Sequence, residues 1–125
     1  MSLLVLNGPS IAAGESLSDA VDCTGGCLAR ITMPPSWTRA PLTFEFSTDG
    51  VFFNPMFGID GFEVTIQTIA PGSGVIIPSD IGRAIGFLKV RSGTRGNPIP
   101  QESARAFAVA IVVDEDAAID PDFGR

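Results

Sequence analysis

The sequence predicts an all-β chain folded as a single antiparallel β-sandwich or jelly roll, with extended N- and C-terminal arms. Three observations predict it. Glycine and proline, 14 and 10 of the 125 residues, recur at short intervals and interrupt the chain before a helical period can develop. The runs between them are short, rich in β-branched and aromatic residues, and alternating or continuously apolar. A chain of this length is one domain, burying roughly two thirds of the surface that its unfolded form exposes.

Taken in order, the strands expected are Ser2 to Leu6, Leu17 to Val21, Cys27 to Met33, Leu42 to Ser47, Phe62 to Thr68, Gly74 to Ile77, Gly86 to Arg91 and Ala104 to Val113. Asp49-Gly50 lies between two β runs, where glycine supplies the positive φ of a tight hairpin, so Leu42–Ser47 should turn back into Val51–Phe53. Asp60-Gly61 gives the same signal before Phe62-Glu63-Val64-Thr65-Ile66. Alternation there puts Phe62, Val64 and Ile66 on one face and Glu63 and Thr65 on the other. Pro78-Ser79-Asp80-Ile81-Gly82 is the one place for a single helical turn, capped by Ser79 or Asp80. Arg91 to Pro100 reads as a loop, and Asp114 onward, with Asp116, Asp120 and Asp122, as an acidic tail. The organisation expected is residues 1–9 as an arm or edge strand, 10–113 as the sandwich and 114–125 as the tail.

Composition removes several function classes. The formal net charge is -6 and Lys89 is the only lysine, so the basic field that binds nucleic acid is missing. No apolar run approaches the roughly 18 residues of a spanning helix, so no membrane partner is expected. The first residues lack the basic start and cleavage site of a signal peptide, which places synthesis in a cytoplasm. Yet 45% of the residues are hydrophobic and mean hydropathy is +0.32. That excess serves either a large core or an apolar surface that a partner covers.

With no histidine, the usual acid–base group and the commonest metal ligand are both gone, and an enzyme is not expected. Paired carboxylates for glycoside chemistry would come from Glu45, Asp49, Asp60 and Glu63. Asp49 and Asp60 stand beside glycines, where turn conformation explains them better. The tail carboxylates lack the spacing of a calcium loop, and Gly8-Pro9-Ser10 and Gly72-Ser73-Gly74 lack the helix and lysine of a phosphate loop. No cofactor and no metal is expected.

Trp37, in a proline-rich loop, either stacks on a sugar or plugs one end of the sandwich or an interface; the second is preferred. Val51-Phe52-Phe53-Asn54-Pro55-Met56-Phe57 is the most unusual run. Alternation buries only part of it, so Phe52, Phe53, Met56 and Phe57, with Trp37, are the candidate interface. Cys23 and Cys27 flank Thr24-Gly25-Gly26. An internal bond, a bond between subunits and two free thiols all remain open, with both sulfurs expected at the mouth of an exposed turn.

Ile11 to Asp22, Leu42 to Gly50 and Phe87 to Thr94 together resemble small β-sandwich virion structural proteins of tailed phages and prophages, especially of alphaproteobacteria, over about residues 10 to 113. The two motifs Phe44-Glu45-Phe46-Ser47-Thr48-Asp49-Gly50 and Phe87-Leu88-Lys89-Val90-Arg91-Ser92-Gly93 are also similar to discoidin-like sandwiches. The resemblance implies a decoration, collar, neck or fibre-base component made in the host cytoplasm and resident in the virion. Its partners would be copies of itself and other virion proteins. The alternative is a carbohydrate-binding module of a host-recognition fibre, with Trp37 against a glycan. The cysteine pair departs from the pattern, which gives weight to disulfide cross-linking peculiar to this chain.

Overall fold

The computed structural model describes residues 2–67 and 70–113. Within them the chain forms β1 (Ser2–Ile11), β2 (Val21–Asp22), β3 (Cys27–Thr32), β4 (Leu42–Ser47), β5 (Asn54–Pro55), β6 (Gly74–Ile76), α1 (Ser79–Gly82), β7 (Phe87–Thr94), β8 (Asn97–Pro98) and β9 (Arg105–Val113). Two antiparallel sheets pack face to face as a β-sandwich. Sheet A has the order β1-β9-β3-β6, and sheet B the order β2-β7-β4-β5, with β8 paired to β7.

Strand alternation builds the core. Leu42 and Phe44 of β4, Leu88 and Val90 of β7, Leu28 and Ile31 of β3, and Phe107, Val109 and Ile111 of β9 all point between the sheets and are essentially inaccessible. Each such side chain contributes about 1.5–3 kcal/mol by leaving water. Between Leu28 and Arg30 the register of β3 against β9 slips by one residue. That bulge lets both Leu28 and Ile31 face inward despite their odd spacing.

Residues 2–11 form the edge strand β1 of sheet A. β1 pairs with β9 from Ser2↔Val113 to Ile11↔Arg105, so Ser2–Leu6 closes onto its own sheet. The pairing continues past Gly8-Pro9 through an irregularity between Asn7 and Ser10.

Four other expectations are corrected. Leu17 to Val21 is not a strand: Leu17 makes one isolated bridge to Arg91, and ladder pairing is confined to Val21 and Asp22. Of Phe62 to Thr68, the described residues 62–67 do not form a ladder strand: their β pairing is confined to the isolated bridges Phe57↔Glu63 and Leu42↔Ile66, and Thr68 lies outside the described residues. Val64 and Ile66 lean on the core, but Phe62 is 74% exposed. The loop read over 91–100 contains a hairpin, with Gly93↔Pro98 and Thr94↔Asn97, because Gly93 at φ +91° turns where another residue would strike the Asn97 carbonyl. The Asp49-Gly50 turn is wider than a two-residue hairpin. Asp49 accepts hydrogen bonds from the amides of Val51 and Phe52, and β4 regains a partner only at Asn54–Pro55. The single helical turn forms where expected, but its N-cap is Pro78 with no side-chain cap bond. The acidic tail, 114–125, lies outside the described residues.

Candidate functional site

The outer faces of the two sheets are built from opposite chemistry. On sheet B the residues alternating with the core of β4 and β7 are Thr43, Glu45, Lys89 and Arg91. Glu45 lies opposite Lys89, and Thr43 opposite Arg91. The chain then folds back over this face. Glu63, held by its bridge to Phe57, accepts from Arg91 Nη1 at 3.4 Å and from the Arg95 amide at 3.1 Å, while Arg91 Nη2 pairs with Glu45. All three charged side chains are 16% exposed or less. Phe53 lies under the Lys89 ammonium, 4.4 Å from ring centroid to nitrogen.

Two of the four carboxylates considered for glycoside chemistry, Glu45 and Glu63, are thus brought together, but with a guanidinium between them. Their oxygens are engaged by Arg91 rather than open to a sugar and a water. Asp49 and Asp60 serve turns. The amides of Val51 and Phe52 and the Ser47 hydroxyl hold the Asp49 carboxyl below its ordinary pKa, and Asp60 accepts from the Phe62 amide.

On sheet A the outer residues are Leu3, Val5 and Asn7 of β1, and Ala106, Ala108, Ala110 and Val112 of β9, with Cys27, Arg30 and Thr32 of β3 and Ile76 of β6. This row carries one charge, Arg30, whose stem lies against Gly74. Leu3 and Val5 are more than half exposed and Ile76 is 76% exposed. Leu4, on the inner side of β1, is also 48% exposed, because β1 begins beyond the cover of sheet B.

The sequence-predicted interface residues separate. Trp37 is half-buried: its Nε1 donates to the Ala40 carbonyl at 3.1 Å, and its ring meets Phe107 edge-on at 5.6 Å. It therefore closes one end of the core, the preferred reading, rather than standing as an open sugar platform. Met56 is buried in the core, a correction to its place in the candidate interface, because the Met56 amide bonds the Phe44 carbonyl and draws the side chain inward. Phe53 is taken by Lys89. Phe52 and Phe57 are exposed, as are Val51, Ile59 and Phe62. Below them lies an open groove of about 390 Å³ lined chiefly by Phe46, Met56, Phe57, Ile59, Val64 and Ile81.

Both cysteines are free, and the expectation that both sulfurs sit exposed at a turn mouth fails for Cys23. Its amide donates to the Gly86 carbonyl, which pulls the side chain into the core at 0% exposure. Burial and the charge of Asp22 push the thiol from 9.0 up to about 11, so the reactive thiolate is disfavoured there. Cys27 is half-exposed on the outer face of sheet A. Its sulfur lies 3.9 Å from the Ser79 carbonyl, because α1 packs close over β3 at Gly82, where a Cβ would clash with the Leu28 carbonyl.

Sequence reasoning missed a buried polar clasp at the Trp37 end. Arg105, 7% exposed, donates from Nε to Gln101 Oε1 at 2.8 Å, from Nη1 to Ser36 Oγ at 2.9 Å and from Nη2 to Thr38 Oγ1 at 3.0 Å. Gln101 in turn donates to Ser92 Oγ and to the Thr38 carbonyl. The available signal was an arginine at a core-facing position of a strand. Among the described residues no group of three or more histidines, cysteines or carboxylates is placed to hold a metal, and no helix is long and apolar enough to cross a membrane.

No protein-family model matches the chain, no curated protein matches it, and no solved structure matches its fold.

Proposed function

We propose that this chain is a structural subunit of a protein assembly, packing against copies of itself and against other proteins, and that the assembly is the virion of a tailed phage. The observation that supports assembly is the uncovered apolar surface: Leu3, Val5 and Ile76 on sheet A, and Phe52, Phe57, Ile59 and Phe62 around the 51–62 loop. Exposed apolar side chains gathered in one stretch of surface are a mark of protein contact. The virion setting rests on the sequence resemblance of residues 10 to 113, and a collar, neck or decoration position accords with a single small sandwich.

Sedimentation velocity of the purified chain over a concentration series tests the first half. Concentration-dependent association is expected, and a monomer at every concentration would refute packing among copies. Electron microscopy of the parent particle tests the second half. Density for this sandwich in symmetric copies is expected on the particle. Its absence, together with specific binding of the isolated chain on a glycan array, would favour the carbohydrate-binding module instead.

A further inference from the structure

The four strands that end the two sheets are unequal. β2, β5 and β6 are two or three residues long, whereas β1 runs for ten. Short edges offer too few backbone groups to recruit another strand, which is how natural sheets protect themselves. β1 has none of the other protections over Ser2–Asn7: no charge, no proline and no bulge. Its inner edge is paired to β9; on its outer edge Ser10 exchanges hydrogen bonds with Asp19, while among the described residues Ser2–Asn7 is paired to nothing on that side. Alternate amides and carbonyls of Ser2–Asn7 therefore face outward, which calls for an extended strand as occupant.

We infer that the occupant is β1 of a second copy, antiparallel about a two-fold axis at Leu4, joining two A sheets into one. This rests on the assembly reading above and names its first contact. The order of side chains is self-complementary about that axis: Leu4 meets Leu4, Leu3 meets Val5 and Ser2 meets Leu6, so each exposed apolar residue gains an apolar neighbour on its own face. Charge directs the same choice. Ser2–Asn7 and the residues of β9 paired to it, Ala108–Val113, carry no charged side chain, so two copies of β1 meet with no like charges directly opposite. A six-residue strand covers less than the roughly 800 Å² per partner of a stable complex. The pair is therefore weak alone and gains strength when further contacts hold copies side by side.

Disulfide trapping reads the contact directly. In a Cys27→Ser background, Leu4→Cys places two thiols opposite each other on the axis, within the span of a disulfide. Asn7→Cys, on the same exposed strand, places them far apart. Under mild oxidation Leu4→Cys is expected to form dimer at least about tenfold faster than Asn7→Cys. Val5→Lys, which adds two charges to each pair, is expected to weaken self-association about tenfold, and Val5→Thr to retain it. Equal trapping at positions 4 and 7, or none at either, overturns the inference. So does trapping at 4 only after residues 114–125 are removed, since the edge would then belong to the chain's own tail. If the wild-type chain self-associates while Val5→Lys leaves the association intact, this pairing falls and the assembly reading stands. A wild-type chain that stays monomeric throughout removes this pairing together with the packing among copies on which it rests.

Discussion

The outer face of sheet B carries Glu45, Lys89 and Arg91, and the chain covers it with its own Glu63 and Phe53. The outer face of sheet A carries Leu3, Val5, Ala108, Ala110 and Val112, and leaves its two flanks, at β1 and at Ile76, open to water. The difference lies in what each chemistry can obtain from its own chain. A row of alternating charges finds partners among neighbouring strands and one returning loop, so it is complete within a single copy. An apolar row offers nothing to hydrogen-bond and is satisfied only by another surface laid against it. The charged row of sheet B is thus covered by its own chain, while the flanks of the apolar row on sheet A are left to water.

The contrast breaks most severely at Arg91. Arg91→Met leaves Glu45 and Glu63 charged, largely buried and unpaired, and is expected to cost about 3–5 kcal/mol in urea unfolding. Adding Glu45→Gln and Glu63→Gln should restore most of that loss, which separates the charge from the fit. If Arg91→Met alone is neutral, sheet B is not held by its ions.

The two cysteines sharpen the contrast next, because one reports on the open face and one on the core. Native protein at neutral pH is expected to alkylate at Cys27 and not at Cys23, read by mass spectrometry of peptides. Cys23 holds its proton more tightly when folded. Its contribution to stability is accordingly full below pH 9 and declines as pH rises towards about 11. A Cys23→Ala variant should lose that alkaline dependence while being less stable at neutral pH through the cavity it leaves.

Smaller effects complete the series. Lys89→Ala removes the ammonium from over Phe53 and is expected to cost about 0.5–1 kcal/mol. Ile76→Lys, at the far flank of sheet A from β1, is expected to shift stability by no more than about 0.5 kcal/mol, and to leave self-association unchanged in the concentration series. A large loss of association with Ile76→Lys would move the contact from the β1 edge to the face of the sheet.

Legibility from sequence follows the same division between local and non-local causes. Leu42–Ser47 was readable to the residue, because six alternating positions bounded by a proline and an Asp-Gly turn admit one reading. Ser79–Gly82 was readable as a helical turn for similar reasons. Phe62-Glu63-Val64-Thr65-Ile66 has equally good alternation but is not a ladder strand. Its ties run to distant residues, Ile66 to the Leu42 backbone and Glu63 to Arg91, 28 residues away, which no local pattern encodes. Exposure was the hardest property to read. Phe53 and Met56 look as free as Phe52 and Phe57 in sequence, and only the position of Lys89 and the backbone bond to Phe44 decide which of them meet water. Cys23 was misread because Thr24-Gly25-Gly26 marks a surface turn, while the turn's first residue points into the core.

The Arg105 clasp has a consequence for which end of the sandwich depends on charge. Arg91 is balanced by two carboxylates. The partners of Arg105 are an amide and two hydroxyls. Among the described residues it depends on no counter-ion. The returning loop over sheet B is therefore fastened by opposite charges, while the Trp37 end, with its buried arginine, is fastened by neutral acceptors alone.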